Sequence, residues 1–237
     1  MCYNPLHVKI TCKPKIIGKS ALKRVQAGRY TTMTKELFRQ NCKAKLRNGR
    51  RDKIARDSKV LASLLKYLSP LRGKNILLYM PLVDEVQVDK LLRTLRRHNR
   101  VFVPFMEGVS FKVVKFRLPL HRKKFSILEP ANSWARVSCI DIAIVPVVGV
   151  DGQMRRIGHG KGMYDRFFAS LKCSPYVIFI QRVACFTEQF LGSTHDIQAD
   201  IYITPNDIIQ RRGNHGIRTY SRRRRNLNKR CGRISCR

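Results

Sequence analysis

Short, continuously apolar runs alternate with amphipathic stretches through most of this chain. Asn75 to Met80 (NILLYM) is apolar and closed by Pro81, Arg100 to Met106 (RVFVPFM) repeats that character, and Asp141 to Val148 is the strongest of the set. Tyr176 to Ile180 and Ile201 to Thr204 complete it, with Val113 to Phe116 as a short edge strand. Runs of this length predict strands buried on both faces. Between them, Thr34 to Leu46 places Leu37, Phe38 and Cys42 at helical spacing behind Thr34 as N-cap. Ser58 to Tyr67, Val86 to Arg97 and Gly162 to Leu171 carry the same amphipathic pattern. The alternation predicts an α/β fold, a three-layer α/β/α sandwich around a mostly parallel central sheet.

In such sheets ligands gather at the carboxyl ends of the strands. Two polar turns fall there: Val83-Asp84-Glu85 after the first strand, and Asp151 to Asp165 after the strongest one. The second turn packs Arg155, Arg156, Gly158, Gly160, Lys161, Gly162, Tyr164 and Asp165 between a strand and a helix. That layout turns backbone N–H groups toward a phosphate, the two cations add charge, and the carboxylate suits Mg2+. It matches neither the dinucleotide fingerprint, because the glycines read G-x-G-x-G, nor a Walker loop. Gly18-Lys19-Ser20 has the ending of a Walker loop, but Lys13 stands where its first glycine belongs.

Composition changes the picture mainly at the two ends. The 237 residues carry a formal charge of +34 and a 43% apolar share, enough for one sizeable core. Residues 1–30 hold 7 Lys/Arg and no acids, and residues 206–237 hold 11 Lys/Arg and one acid. The chain therefore divides into a basic extension over 1–32, an α/β domain over 33–205, and a basic, disordered tail over 206–237. The extension reads either as disordered or as upstream of Met33 acting as the true start. A strongly basic chain points to nucleic acid, and here such contact is expected only through the tail. Eight cysteines include no C-x-x-C pair, which argues for reduced thiols in the cytosol rather than a zinc site or disulfide framework. No apolar run approaches the about 18 residues of a membrane span.

The ordered motifs resemble the 5-formyltetrahydrofolate cyclo-ligase (5,10-methenyltetrahydrofolate synthetase) family. Its signature, approximately R-L-G-x-G-x-G-Y-Y-D-R, is matched by Arg156 to Arg166. A helix bearing K-x-x-[LF]-R is matched, with a spacing change, by Lys35 and Arg39, an i, i+4 pair. The D-E-V turn after a strand corresponds to Tyr79 to Val86, and a g-I-x-E-P segment to Phe125 to Pro130. H-D-x-x-x-D ahead of Thr-Pro is matched by His195, Asp196, Asp200, Thr204 and Pro205. Met163 replaces the first tyrosine of the Y-Y pair, and Glu188 to Thr194 lacks the usual proline.

The resemblance implies an ADP-forming ligase that converts 5-formyltetrahydrofolate to 5,10-methenyltetrahydrofolate with ATP and Mg2+. It would act as a cytoplasmic monomer on folate that is free or polyglutamylated. It also implies roles. Lys35, Arg39, Arg156, Gly158, His159, Gly160, Lys161, Gly162 and Tyr164 would bind ATP, with Arg156 and Lys161 catalytic. Met80, Glu85, Phe125, Met163 and Tyr164 would hold the folate, and Asp165 and Asp196 the metal. The alternatives are an RNA- or ribosome-associated binding protein and a relative without activity.

Overall fold

The computed structural model describes residues 33–49, 51–107, 110–117, 119–122, 128–130, 137 and 139–211. Helices α1 (Lys35–Asn48) and α2 (Lys53–Leu68) precede strand β1 (Asn75–Leu77), helix α3 (Asp89–Leu95), and strands β2 (Arg100–Glu107) and β3 (Ser110–Lys115). Short strands β4 (Leu120–Arg122) and β5 (Leu128–Pro130) pair apart from the main sheet. Then follow β6 (Ile142–Pro146), β7 (Gly149–Val150), β8 (Arg156–Ile157), α4 (Met163–Ala169), β9 (Tyr176–Ile180), β10 (Ile201–Ile203) and β11 (Ile208–Gln210).

Seven strands form the central sheet in the order β11-β10-β9-β6-β1-β2-β3. The inner contacts from β10 to β2 are parallel, while β11 and β3 close the edges antiparallel. Alternation along each strand divides the core. Ile76, Val101, Ile142, Ile144, Ile178 and Ile201 face Val60 and Leu64 of α2 and Leu91 and Leu92 of α3. Leu77, Phe102, Ala143, Val145, Phe179 and Tyr202 face the other way, onto Phe167 of α4. Helix α1 builds a third cluster: Phe38, Cys42 and Leu46 pack on Val148, Ile157 and Cys185 beside the β7–β8 hairpin.

The three-layer α/β/α arrangement and the mostly parallel sheet are those expected from the alternation. Thr34 caps α1 as anticipated, its hydroxyl accepting from Leu37 N at 3.2 Å. Two helices are shorter than the apolar spacing suggested. Helix α3 begins at Asp89, because Val86 and Val88 are core residues reached by a loop rather than by a helical face. Helix α4 has only 7 residues and starts at Met163.

The expectation of reduced thiols throughout is corrected by a disulfide between Cys139 and Cys173. Each cysteine lies just ahead of a strand, and those strands are neighbours with Ile142 opposite Tyr176. Parallel pairing therefore sets the two side by side, Cα atoms 5.6 Å apart, which spacing alone does not reveal. Among the described residues, no helix is long and apolar enough to cross a membrane.

One buried ion pair links helix, sheet end and loop. Arg182, fully buried after β9, donates from Nε to Asp57 Oδ1 at 2.8 Å and from Nη2 to Oδ2 at 2.9 Å. Its remaining donors reach the carbonyls of Val83, at 3.0 Å, and Glu85. Asp57 Oδ2 also accepts from Gln87 N at 3.1 Å. Arg182→Met should cost about 3–5 kcal/mol in urea unfolding followed by circular dichroism, because it strands a buried carboxylate. Adding Asp57→Leu should recover most of that loss. Equal destabilisation of the single and double variants would assign the effect to the loop carbonyls instead.

Candidate active site

The carboxyl ends of β1, β2 and β6 open into a cavity of about 300 Å3. Its walls are mostly apolar: Tyr79, Met80 and Leu82 follow β1, Pro104 and Met106 lie on β2, Phe111 on β3, and Pro146 ends β6. The polar lining comes from Glu85, Arg156, His159 and Lys161, beside Gly162, Met163 and Tyr164. Both turns that the sequence placed at strand ends thus meet at one cavity.

Arg156 is the central charge. It is 7% exposed, its Nε donates to Pro146 O at 3.1 Å, and its guanidinium carbon sits 4.7 Å from the Tyr164 ring centroid. A cation over an aromatic face is attracted by the ring quadrupole, more strongly where water is absent. Phe111 braces the same ring edge-on at 5.0 Å. The glycine turn is shaped around this arginine. A side-chain carbon on Gly158 would collide with the Arg156 guanidinium, and Gly160 and Gly162 adopt φ of 109° and 61°. Positive φ of that kind is open to glycine and costly for other residues.

Helix α1 holds the turn from outside. Arg39 Nε donates to Gly158 O at 2.9 Å, and Lys43 Nζ to His159 O at 3.4 Å. Arg39 also pairs with Glu36. Lys43 lies one turn beyond Arg39 on the same face, and the i, i+4 spacing already used for Lys35 and Arg39 would have found it.

The carboxylates Asp165 and Asp196 approach one another through the backbone. Asp165 Oδ1 accepts from Ile197 N at 3.3 Å, and Asp196 Oδ2 takes Lys35 Nζ at 2.5 Å together with Ser193 N at 2.6 Å. Burial raises the pKa of Asp196, but the bonds from Lys35 and Ser193 outweigh it and hold this carboxyl below the usual aspartate value. Two arms fix the segment. Arg155 Nη1 donates to the carbonyls of Ser193, Thr194 and Asp196 at 3.0–3.1 Å. Buried Asp151 accepts from Gln153 N, Arg155 N, Leu191 N and Gly192 N.

Lys35, Arg39, Asp165 and Asp196 are thus brought to the same side as the glycine turn but outside the cavity lining. Phe125 lies outside the described residues. Arg182, Asp57 and Tyr79 were not anticipated. Tyr79 OH donates to Val86 O at 2.7 Å, so with Arg182 it fixes the loop carrying Glu85.

Glu85 is the carboxyl most altered by its setting. Burial pushes its pKa up to about 7, against the Leu82 N–H that donates to Oε2 at 2.9 Å and the nearby arginines. His159 Nε2 stands 3.9 Å from Glu85 Oε1. Burial, then Lys43 and Arg156, hold its pKa below the ordinary histidine value. The imidazole is therefore neutral near pH 7, and cationic charge in the cavity comes from Arg156 and Lys161.

A model of the 5-formyltetrahydrofolate cyclo-ligase family matches residues 31–205. The chain belongs to that family. Cyclo-ligases are enzymes of the ligase class, and the match spans both turns, α1 and the Asp196 segment. The 5-formyltetrahydrofolate cyclo-ligase of Mycolicibacterium smegmatis is 27% identical over 159 residues, 60% of this chain and 80% of that one. The solution structure of a 5,10-methenyltetrahydrofolate synthetase from Aquifex aeolicus superposes with a TM-score of 0.62 at 24% identity, covering 79% of this chain and 98% of that one. A Mycoplasma pneumoniae synthetase gives 0.53 at 24% identity, over 73% and 100% of the two chains. These two structures share the cyclo-ligase fold seen here.

The Glu85 shift has a signed consequence for stability. Its folded pKa lies above the unfolded value, so the native state binds the extra proton between about pH 4.5 and about 7. Stability is then lost as pH rises through that window, by on the order of 3 kcal/mol. Glu85→Gln should therefore match wild type in urea midpoint at pH 4 and exceed it at pH 8. An equal offset at both pH values would sink this assignment.

Proposed function

We propose that the chain converts 5-formyltetrahydrofolate to 5,10-methenyltetrahydrofolate as a cytosolic monomer, consuming ATP as co-substrate and requiring Mg2+ as cofactor. The observation that carries this reading is the apolar cavity with a buried guanidinium at its base, bordered by the glycine turn. The broad faces of a pterin ring suit walls made of Met80, Met106, Phe111, Met163 and Tyr164. Thioether and aromatic surfaces both pack on such rings, so Met163 can serve where relatives of the family pattern have tyrosine. By the family resemblance, Phe125 would also hold the folate. Glu85, fixed by Leu82 N and the Arg182 clamp, offers an acceptor to the N–H edge of the pterin.

The chemistry that follows is a phosphorylation and a ring closure. The formyl oxygen attacks the γ-phosphorus of ATP, an O–P bond forms, and the bond to ADP breaks. Electrons from N5 leave that nitrogen doubly bonded to the formyl carbon. N10 then adds to the carbon, loses its proton, and expels phosphate as the C–O bond breaks, which leaves the methenyl bridge. An amide oxygen leaves poorly, whereas phosphate leaves well. The protein's share is alignment and neutralisation of charge on the transferring group.

Arg156 and Lys161 would take that charge, one at the cavity base and the other on the turn. Gly158, Gly160 and Gly162 let the backbone, with His159, approach the phosphates closely, and Tyr164 keeps Arg156 in place. Lys35 and Arg39 would meet the outer phosphates. Asp165 and Asp196 suit Mg2+: both are hard oxygen donors held within one bonded segment, and Lys35 already places a cation on Asp196. Among the described residues no group of three or more metal-ligating side chains occurs, so phosphate oxygens and water would complete the shell. Bound there, the ion would neutralise phosphate charge.

With 5-formyltetrahydrofolate, ATP and Mg2+, the methenyl absorbance band should rise, and omitting either ATP or the metal should abolish the rise. Arg156→Ala should lower kcat by about 100-fold or more, the scale for losing a charge aimed at the transition state. Asp165→Ala should raise the Mg2+ concentration needed for half-maximal rate. A folded wild-type protein that gives no rise would overturn the proposal.

A further inference from the structure

The opposite end of the sheet carries a second concavity that the reaction does not use. It lies at the start of β2, between the end of α3 and the end of β3, and encloses about 470 Å3. Val101 and Phe116 form its floor, and Arg96, Asn99, Lys115 and Arg117 its rim. Asn99 is committed to the fold, accepting from Lys74 N at 3.1 Å and donating to Leu71 O at 3.2 Å. The three cations are exposed, and none forms an ion pair with a described residue.

The surrounding charge has one sign. From Lys90 to Arg117 the chain holds eight Lys/Arg and a single acid, Glu107. That carboxylate is already engaged by Lys112 at 3.4 Å. Three unpaired cations around a concave site repel one another, and the fold gains nothing from holding them together. A polyanion placed among them removes the repulsion and releases its own counterions.

We propose that this groove is a docking site for the phosphate backbone of single-stranded RNA. Its volume is that of a nucleotide-sized pocket rather than of a duplex face. Shape also argues against an anionic membrane: the site is concave, and among the described residues the exposed large apolar ones, Ile54, Leu65, Val83, Phe186 and Phe190, lie outside the Lys90–Arg117 segment. Phe116 is buried, so the contact is with phosphates and is indifferent to base sequence. The basic tail is a separate source of charge, and the test must distinguish the two.

The full chain is titrated into a fluorescein-labelled 12-nucleotide RNA and followed by anisotropy at several salt concentrations. Arg96→Gln/Lys115→Gln/Arg117→Gln should weaken binding at least tenfold. It should also lower the slope of log affinity against log salt by about 2, the single-strand value for three lost phosphate contacts. Turnover of the same variant should equal wild type, since the groove and cavity lie at opposite ends of the sheet. Lys45→Gln/Lys53→Gln/Lys59→Gln removes equal charge elsewhere and should change affinity less than threefold. Four outcomes would overturn the proposal: no binding by wild type, an unchanged slope in the groove variant, equal losses in both variants, or a preference for phosphatidylserine vesicles over RNA.

Discussion

The buried guanidinium of Arg156 is the interaction on which the site depends. A cation in so dry a place is costly unless its surroundings are built for it. Pro146 O accepts from Nε, Tyr164 presents its face at 4.7 Å, and Gly158 leaves space for the planar group. Each partner belongs to a different part of the chain: the end of β6, the start of α4 and the glycine turn. Fixing one charge therefore fixes the relative position of three segments. The turn is then secured from outside by Arg39 and Lys43, which bond to the carbonyls of Gly158 and His159.

The same burial also sets the protonation of the neighbours of Arg156. Burial penalises charge on Glu85 and His159 alike, raising the first pKa and lowering the second. Arg156 works against the carboxyl's rise and adds to the imidazole's fall. An ordinary Glu–His ion pair is therefore disfavoured at neutral pH. The cavity instead offers a fixed cation beside a carboxyl that exchanges its proton near pH 7 and an uncharged imidazole. Such a site can accept an anionic phosphoryl group without first breaking a salt bridge within its own lining.

Much of this was legible in the chain. Apolar runs gave the parallel strands, and strand-end logic put the turns bearing Glu85 and Arg156 at the carboxyl ends, where the structure joins them in one cavity. Helical spacing put Lys35 and Arg39 on one face, and only the family resemblance gave that face a role. What escaped were contacts between distant segments. Arg182 meets Asp57 across 125 positions, and nothing in either neighbourhood marks the partner. Cys139 and Cys173 meet because their strands are neighbours, a fact of sheet order rather than of spacing. The two-residue strands β7 and β8 were too short to show periodicity, yet they carry Arg156 and orient Asp151. Val86 and Val88 misled in the other direction, since buried loop residues imitate a helical face.

Charge separates the two ends of the fold by the kind of work the charge does. At the carboxyl ends, cations are partnered: Arg39 on Gly158 O, Arg156 on Pro146 O, Lys35 on Asp196. Their positions are specified, which is what aligning a phosphoryl group requires. At the amino ends, Arg96, Lys115 and Arg117 are exposed around a floor of Val101 and Phe116. Long unpinned cations cannot orient a reacting bond, but they can follow a flexible chain of phosphates. The same excess of Lys and Arg thus supports precise geometry where it is hydrogen-bonded and tolerant attraction where it is not. Net charge alone could not have told these apart; the partners of each side chain do.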